Sequence, residues 1–219
     1  MTLTYEEFVA RYGDDPKWAE LRESPYFEVN LRRALNGNEE GFRKLSVYGG
    51  LRPRIMRDLW KEGLPVRAYR EFIKSEWHVD AGRIQKAFLD DLDAFLRDAG
   101  FSTARLPEAF DVWRGGSEPA DVMARARSWT RSYSTACGFA LENKDWRDAR
   151  RERWARAEGL PEPLVLIRHI RRDQAVAWLG GLEREVILAK TTTETPAQPY
   201  RCLSDWRRHR ARVGKAFWN

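Results

Sequence analysis

The chain has 219 residues and a mass of 25.7 kDa, is 42% hydrophobic and 33% charged, and carries ten tryptophans and a net charge of +6. That composition is too apolar for disorder and large enough for one good core or two lobes, and no apolar run approaches the ~20 residues of a membrane span. Two cysteines and three scattered histidines supply neither a disulfide framework nor a zinc site, and the opening MTLTYEEFVARYG lacks the basic start and apolar core of a secretion signal, so a reduced cytoplasmic setting is expected.

From the N-terminus the pattern is helical. TYEEFVARYG predicts a short helix with Thr4 as N-cap and Gly13 as its stop. PYFEVNLRRALNG predicts a second, also ending at a glycine. PRIMRDLWKEG and PVRAYREFIKSEW each open on a proline, which the first turn of a helix tolerates. The strongest periodicity lies in DAGRIQKAFLDDLDAFLRDAG. There Ile84, Phe88, Leu92 and Phe95/Leu96 form one apolar stripe, with Asp80 and Gly100 marking the ends of a single helix. Residues 1–105 therefore read as a helical N-terminal lobe.

From residue 106 the character changes. EAFDVWRGG alternates and ends in two glycines, as a strand entering a tight turn does. EPADVMARARSW reads as a helix and STACGFALEN as a second, shorter one. PLVLIRHIRR and REVILAK read as strands, the first of them buried. Between the two lies NKDWRDARRERWARAEGLPEP, an insertion rich in Arg and Trp that reads as a surface helix or a mobile loop. Residues 106–219 form a mainly β lobe with inserted helices and a basic C-terminal tail, and the chain as a whole falls in the α+β class. Charge follows the same division. Residues 1–105 hold 18 basic and 18 acidic residues, so 21 of the 39 basic and 15 of the 33 acidic residues, and the whole of the excess, lie beyond them. A basic C-terminal half suits an anionic ligand or partner, or simply solubility.

Three stretches of that half carry chemistry. In DVWRGG, Arg114 shares a strand face with Val112 and Phe110, and Gly115 and Gly116 let another group approach the backbone. An arginine fork beside exposed backbone suits a diphosphate, and an ordinary strand-end arginine has the same pattern. SWTRSYSTACGFA offers hydroxyls at Ser128, Thr130, Ser132, Ser134 and Thr135 ahead of a small-residue helix that carries Phe139. Hydroxyls can hold a ribose and an aromatic ring can stack on a flat heterocycle. They can equally cap the helix, with Ser134 or Thr135 as N-cap. In GLEREVIL, a strand would project Glu183 and Glu185 from one face, beside Ile187. Paired carboxylates suit an oxocarbenium-like sugar transition state, one holding the sugar while the other orients or deprotonates a nucleophile. The alternative is an exposed strand face paired with nearby arginines.

In this order and spacing the three stretches resemble the mono-ADP-ribosyltransferases of the arginine–serine–glutamate class, the group of the bacterial binary and cholera-like toxins and the vertebrate ecto-enzymes. Within it they are most similar to a phage and bacterial branch whose central motif reads like SWT followed by a helix ending in FA. The resemblance covers about residues 106–190. It implies an ADP-ribosyltransferase-like split β-sandwich as the catalytic lobe, with NAD+ as co-substrate and no metal. It further implies that Arg114 binds the phosphates and the nicotinamide-side ribose, and that the backbone of Gly115 holds the nicotinamide amide. Ser128 would support the catalytic glutamate, with Thr130 as its partner where many members have serine, and Phe139 would form an aromatic wall. Glu185 would be the catalytic glutamate and Glu183 would act on the acceptor. Trp113 stands where many members place tyrosine before the arginine. An alignment on Ser132 and Ser134 competes with one on Ser128 and Thr130, and the spacing to GFA favours the latter.

In this family Glu-x-Glu goes with arginine as acceptor, so the resemblance implies transfer to a protein arginine. KDWRDARRERWAR and DWRRHRARVGKAFWN offer a rival: Arg interleaved with Trp suits phosphate contacts plus base stacking, so RNA or DNA is the alternative acceptor. Water as acceptor would make the protein an NAD glycohydrolase toxin, and a non-catalytic binding module on the same scaffold is the last alternative. The expected partners are NAD+ and a target protein or nucleic acid, with no membrane, in the cytoplasm of a producing or phage-infected bacterial cell. The helical lobe would recognise the target or cover the NAD cleft. The nucleic-acid reading predicts that affinity for single-stranded RNA, measured by fluorescence anisotropy, falls by roughly 10³-fold between ~50 and ~200 mM salt. No binding at the lower salt eliminates that reading.

Overall fold

Thr4 opens the first helix as its side chain dictates. In a computed structural model of the chain, which describes residues 3–13, 24, 26–45, 52–116, 118–140, 164–181, 183–194 and 197–200, helix α1 (Tyr5–Tyr12) starts on a reciprocal cap. The Glu7 amide donates to the Thr4 hydroxyl at 3.2 Å and the Thr4 amide to the Glu7 carboxylate at 2.8 Å. The chain divides into two compact units, Met1–Phe101 and Ser102–Asn219.

The first unit is helical. Helix α2 (Phe27–Leu35) buries Phe27, Leu31 and Leu35, α3 (Glu39–Lys44) is capped by Asn38, and α4 (Arg52–Lys61) carries Pro53 in its first turn. A 3₁₀ turn, Val66–Tyr69, leads into α5 (Arg70–Phe88). Here one expectation fails: no single helix runs from Asp80 to Gly100. Helix α5 passes through Asp80 unbroken and stops at Phe88. Leu89 then takes φ +47°, a short 3₁₀ turn (Leu89–Asp91) follows, and α6 (Leu92–Asp98) completes the segment. The apolar stripe is nonetheless intact, with Ile84, Phe88, Leu92, Phe95 and Leu96 all buried. The break has a packing reason. Residues seven apart on a straight helix are separated by roughly 10 Å of rise, whereas the reversal at Leu89 brings the rings of Phe88 and Phe95 into a stack 3.9 Å between centroids.

The second unit is built on one antiparallel sheet of six strands, and the protein is α+β. The strands are β1 (Ala109–Gly116), β2 (Ser128–Thr130), β3 (Leu164–Arg171), β4 (Ala175–Gly180), β5 (Glu185–Leu188) and β6 (Gln198–Tyr200), in the order β4-β5-β2-β1-β3-β6. One face carries the apolar cluster of Phe110, Val112, Trp129, Leu166, Ile170, Val186 and Leu188, joined by Met123 of the short helix α7 (Ala120–Ala124). Helix α8 (133–140) covers the other through Ala136, Cys137 and Ala140 against Val165, with Trp113 and Tyr133 alongside. The start of β3 is therefore buried on both sides, which is why LVLI shows no alternation.

Several elements depart from the sequence reading. The helix expected over EPADVMARARSW ends at Ala124, and Ser128 and Trp129 belong to a strand. The cause is tertiary: the Leu188 amide donates to the Arg127 carbonyl at 2.8 Å, the Arg127 Nε donates back to the Leu188 carbonyl at 3.0 Å, and the chain is held alongside β5 against its local preference. Strands β4 and β6 were not anticipated. AVAWLG is largely buried on both faces and has no period of two, and QPY is three residues with a proline. The insertion at 143–163 and the basic tail from 205 lie outside the described residues, as do Cys202 and His209. Among the described residues no helix is long and apolar enough to cross a membrane.

Leu89 holds a positive φ while 67% exposed, so replacing it removes strain and forfeits little packing. Leu89→Gly is expected to stabilise the protein by about 1 kcal/mol in chemical denaturation. A variant equal to or weaker than the parent would show that the turn is not strained.

Candidate functional site

The residues singled out on β1, β2 and β5 meet because β2 lies between the other two. Register pairs Trp113 with Thr130 across β1–β2, and Ser128, Trp129 and Thr130 with Ile187, Val186 and Glu185 across β2–β5. Ser128 is the junction. Its carbonyl accepts a hydrogen bond from Nη1 of Arg114 at 2.6 Å, and its hydroxyl donates to Oε1 of Glu185. Three groups spread over 72 positions of sequence thus share one hydrogen-bonded chain. Beyond the single Trp113–Thr130 pair, β1 continues through Arg114 to Gly116 paired with β3 alone among the described strands. The guanidinium of Arg114 spans the opening between β1 and β2.

Burial sets the electrostatics. Glu185 is 5% exposed, which demands compensation for its charge. The Ser128 hydroxyl supplies a hydrogen bond, and Arg114 is near enough for its charge to be felt. Burial pulls the Arg114 guanidinium below its ordinary range, while Glu118 and Glu185 act in the opposite direction. The Nε of Arg114 is buried and has no hydrogen-bond partner among the described residues. A buried donor left unsatisfied is costly, and one on a cation facing a strand opening is suited to receive an anionic oxygen.

Glu183 does not lie on the strand face. It sits in the turn before β5, next to Arg184 at φ +48°, so the period-two projection does not apply to it. The turn nevertheless brings the carboxylates together, with an oxygen of Glu183 within 4.8 Å of one of Glu185. Thr130 fixes that turn: its hydroxyl donates to the Glu183 carbonyl, and the Arg131 amide donates to the Arg184 carbonyl at 3.0 Å. Thr130 also accepts from the Ser132 amide at 2.9 Å. Ser132, rather than Ser134 or Thr135, caps helix α8, because its hydroxyl receives the Thr135 amide at 3.2 Å. The hydroxyl-rich stretch therefore divides its work: Ser128 serves Glu185, Thr130 serves the Glu183 turn and Ser132 serves the helix.

The last two expected residues separate. Phe139 is on α8 but 39% exposed, outside the cluster that packs on the sheet. Gly115 faces α8, and a Cβ there would come within 1.6 Å of the Ala136 carbonyl oxygen. The glycine is thus required by the packing of helix on strand, whatever its backbone binds. Sequence reasoning missed Arg168. It is 3% exposed, its guanidinium lies 4.8 Å over the Trp129 ring, and it donates to the carbonyls of Thr192 at 3.0 Å and Ala124 at 2.9 Å. The signal was present: position 168 falls on the inward side between Leu166 and Ile170, where a charge has to be used.

Comparison of the chain with protein-family models, curated proteins and solved structures returns no match.

Gly115→Ala is expected to cost about 2–3 kcal/mol in chemical denaturation, because helix backbone must move. Gly116→Ala is expected to cost less than about 1 kcal/mol, since its Cβ meets only the flexible Met123 side chain, at 3.3 Å. Equal stability of the two variants would contradict the close approach at Gly115.

Proposed function

We propose that the chain is an NAD+-dependent mono-ADP-ribosyltransferase whose 102–219 unit is an ADP-ribosyltransferase-like split β-sandwich and which transfers ADP-ribose to a protein arginine in the bacterial cytoplasm. One observation carries the reading. Arg114, Ser128 and Glu185, to which the resemblance gives phosphate binding, support of the glutamate and catalysis, are joined through Ser128. The orphaned Nε of Arg114 supports the fit of a diphosphate.

In this reading NAD+ supplies the sugar: the bond from ribose C1′ to the nicotinamide nitrogen breaks, its electron pair leaves with the neutral nicotinamide, and positive charge develops on the ribose. Glu185, held by Ser128, stabilises that charge from a site where little solvent screens it. Glu183, within 4.8 Å, takes the proton as the arginine nitrogen bonds to C1′. Arg114 holds the phosphates, and in the absence of ligand its charge offsets part of that of Glu185.

Incubation with labelled NAD+ and a bacterial lysate tests this. Wild type is expected to label a protein band and release nicotinamide, and Glu185→Ala to lose both by at least about 10²-fold. Glu183→Gln is expected to lose arginine labelling but retain nicotinamide release. Nicotinamide release without a labelled band would make water the acceptor, label on nucleic acid would replace arginine, and no turnover at all would overturn the reading.

A further inference from the structure

The register places a third side chain beside the two carboxylates. Directly paired residues share a sheet face, with Cβ atoms roughly 5 Å apart. Glu185 pairs with Thr130 and Thr130 with Trp113, so the three form one row across β5, β2 and β1. The middle member is small, and its hydroxyl is committed to the Glu183 carbonyl and the Ser132 amide. It forms a low floor roughly 10 Å wide between a carboxylate on one side and an indole on the other. Trp113 is partly exposed, and its ring is met edge-on by Tyr133, with centroids 6.4 Å apart at 62°. Tyr133 is met in turn by Tyr200, 5.4 Å away at 78°. Two successive edge-to-face contacts hold the indole in one orientation. Phe139 is 39% exposed and makes no ring contact among the described residues.

The geometry points to Trp113, not Phe139, as the aromatic surface of this site, and to a cationic flat heterocycle as what it receives. The inference rests on the NAD+ reading and deepens it. The nicotinamide of NAD+ is a pyridinium cation, and an indole face attracts a cation more strongly than any other side-chain ring. The same ring in NADH is neutral, as is the nicotinamide that leaves. Trp113 would therefore favour the oxidised dinucleotide over the reduced one, and would loosen its hold once the bond to C1′ has broken and the positive charge has passed to the ribose beside Glu185. Trp113 is a binding residue in this scheme, and its signature is charge selectivity rather than affinity alone.

Calorimetric titration with NAD+ and with NADH reads that signature, in a Glu185→Gln background that stops turnover. Trp113→Leu is expected to reduce the preference for NAD+ over NADH by about tenfold, and Trp113→Phe to reduce it less, since a phenyl ring retains part of the attraction. A change of structure alone would weaken both dinucleotides together and leave the ratio unmoved. An unchanged ratio in Trp113→Leu overturns the inference. Should that variant not fold, an unchanged ratio in Trp113→Phe does so. Loss of the preference in Phe139→Leu in place of the Trp113 variants also overturns it. A parent that binds NAD+ with no preference refutes this inference alone. A parent that neither binds nor cleaves NAD+ refutes the reading of the site as well.

Discussion

A carboxylate at the start of a central strand, almost wholly out of solvent, has to be compensated, and the second unit is organised around that need at Glu185. The compensation comes through β2, a strand of only three residues. Ser128 gives its hydroxyl to Glu185 and its carbonyl to Arg114, so one residue couples the buried anion to a partly buried cation. Thr130, two residues on and on the same face, grips the turn that carries Glu183. A one-residue slip of β2 would exchange Ser128 and Thr130 for Trp129 and undo all of these contacts. Burial opposes that slip: Trp129 enters the apolar cluster with Val112, Val186 and Leu188, and a shift by one residue would turn it to the other face.

Such a short strand cannot hold its own place, and its supports come from elsewhere in the unit. Arg127 and Leu188 exchange hydrogen bonds at one end, and Arg131 bonds Arg184 at the other. Beneath, the Arg168 guanidinium lies on the Trp129 ring and reaches the carbonyls that close α7 and the turn after β5. Its burial lowers its affinity for the proton, as at Arg114. Three arginines are thus spent on this strand: Arg127 and Arg168 steady it, and Arg114 reaches its Ser128 carbonyl. On the opposite face, Gly115 lets α8 come down onto β1, so the hydroxyls that begin that helix stand beside the strand that holds Ser128.

These supports bear on the proposed chemistry. Stabilising a developing positive charge requires acceptors that do not have to reorient when it appears. Glu185 is held by a hydroxyl, the Glu183 turn by a second hydroxyl and a backbone bond, and the opening between β1 and β2 is crossed by a cation whose Nε has no partner among the described residues. The polar groups lie on short, cross-braced elements, and the aromatic residues beside them are locked edge to face.

What could be read in the sequence was local or periodic. The Thr4 cap, the strand over DVWRGG and the stripe from Ile84 to Leu96 follow from side-chain chemistry and spacing alone, and the residues of the candidate site were legible because arginine, serine and glutamate stand out against apolar strands. Composition and order also settled that a helical part precedes a β part. Tertiary structure decided the rest. The reversal at Leu89 serves a ring stack that no local pattern encodes. SWT is a strand because β5 lies beside it, and AVAWLG is one because both its faces are covered. The pairing that sets Trp113 beside Thr130, and Thr130 beside Glu185, joins positions remote in sequence through backbone hydrogen bonds that every residue can make. Side chains can announce their chemistry in a sequence, but which of them become neighbours is settled only when the strands find their partners.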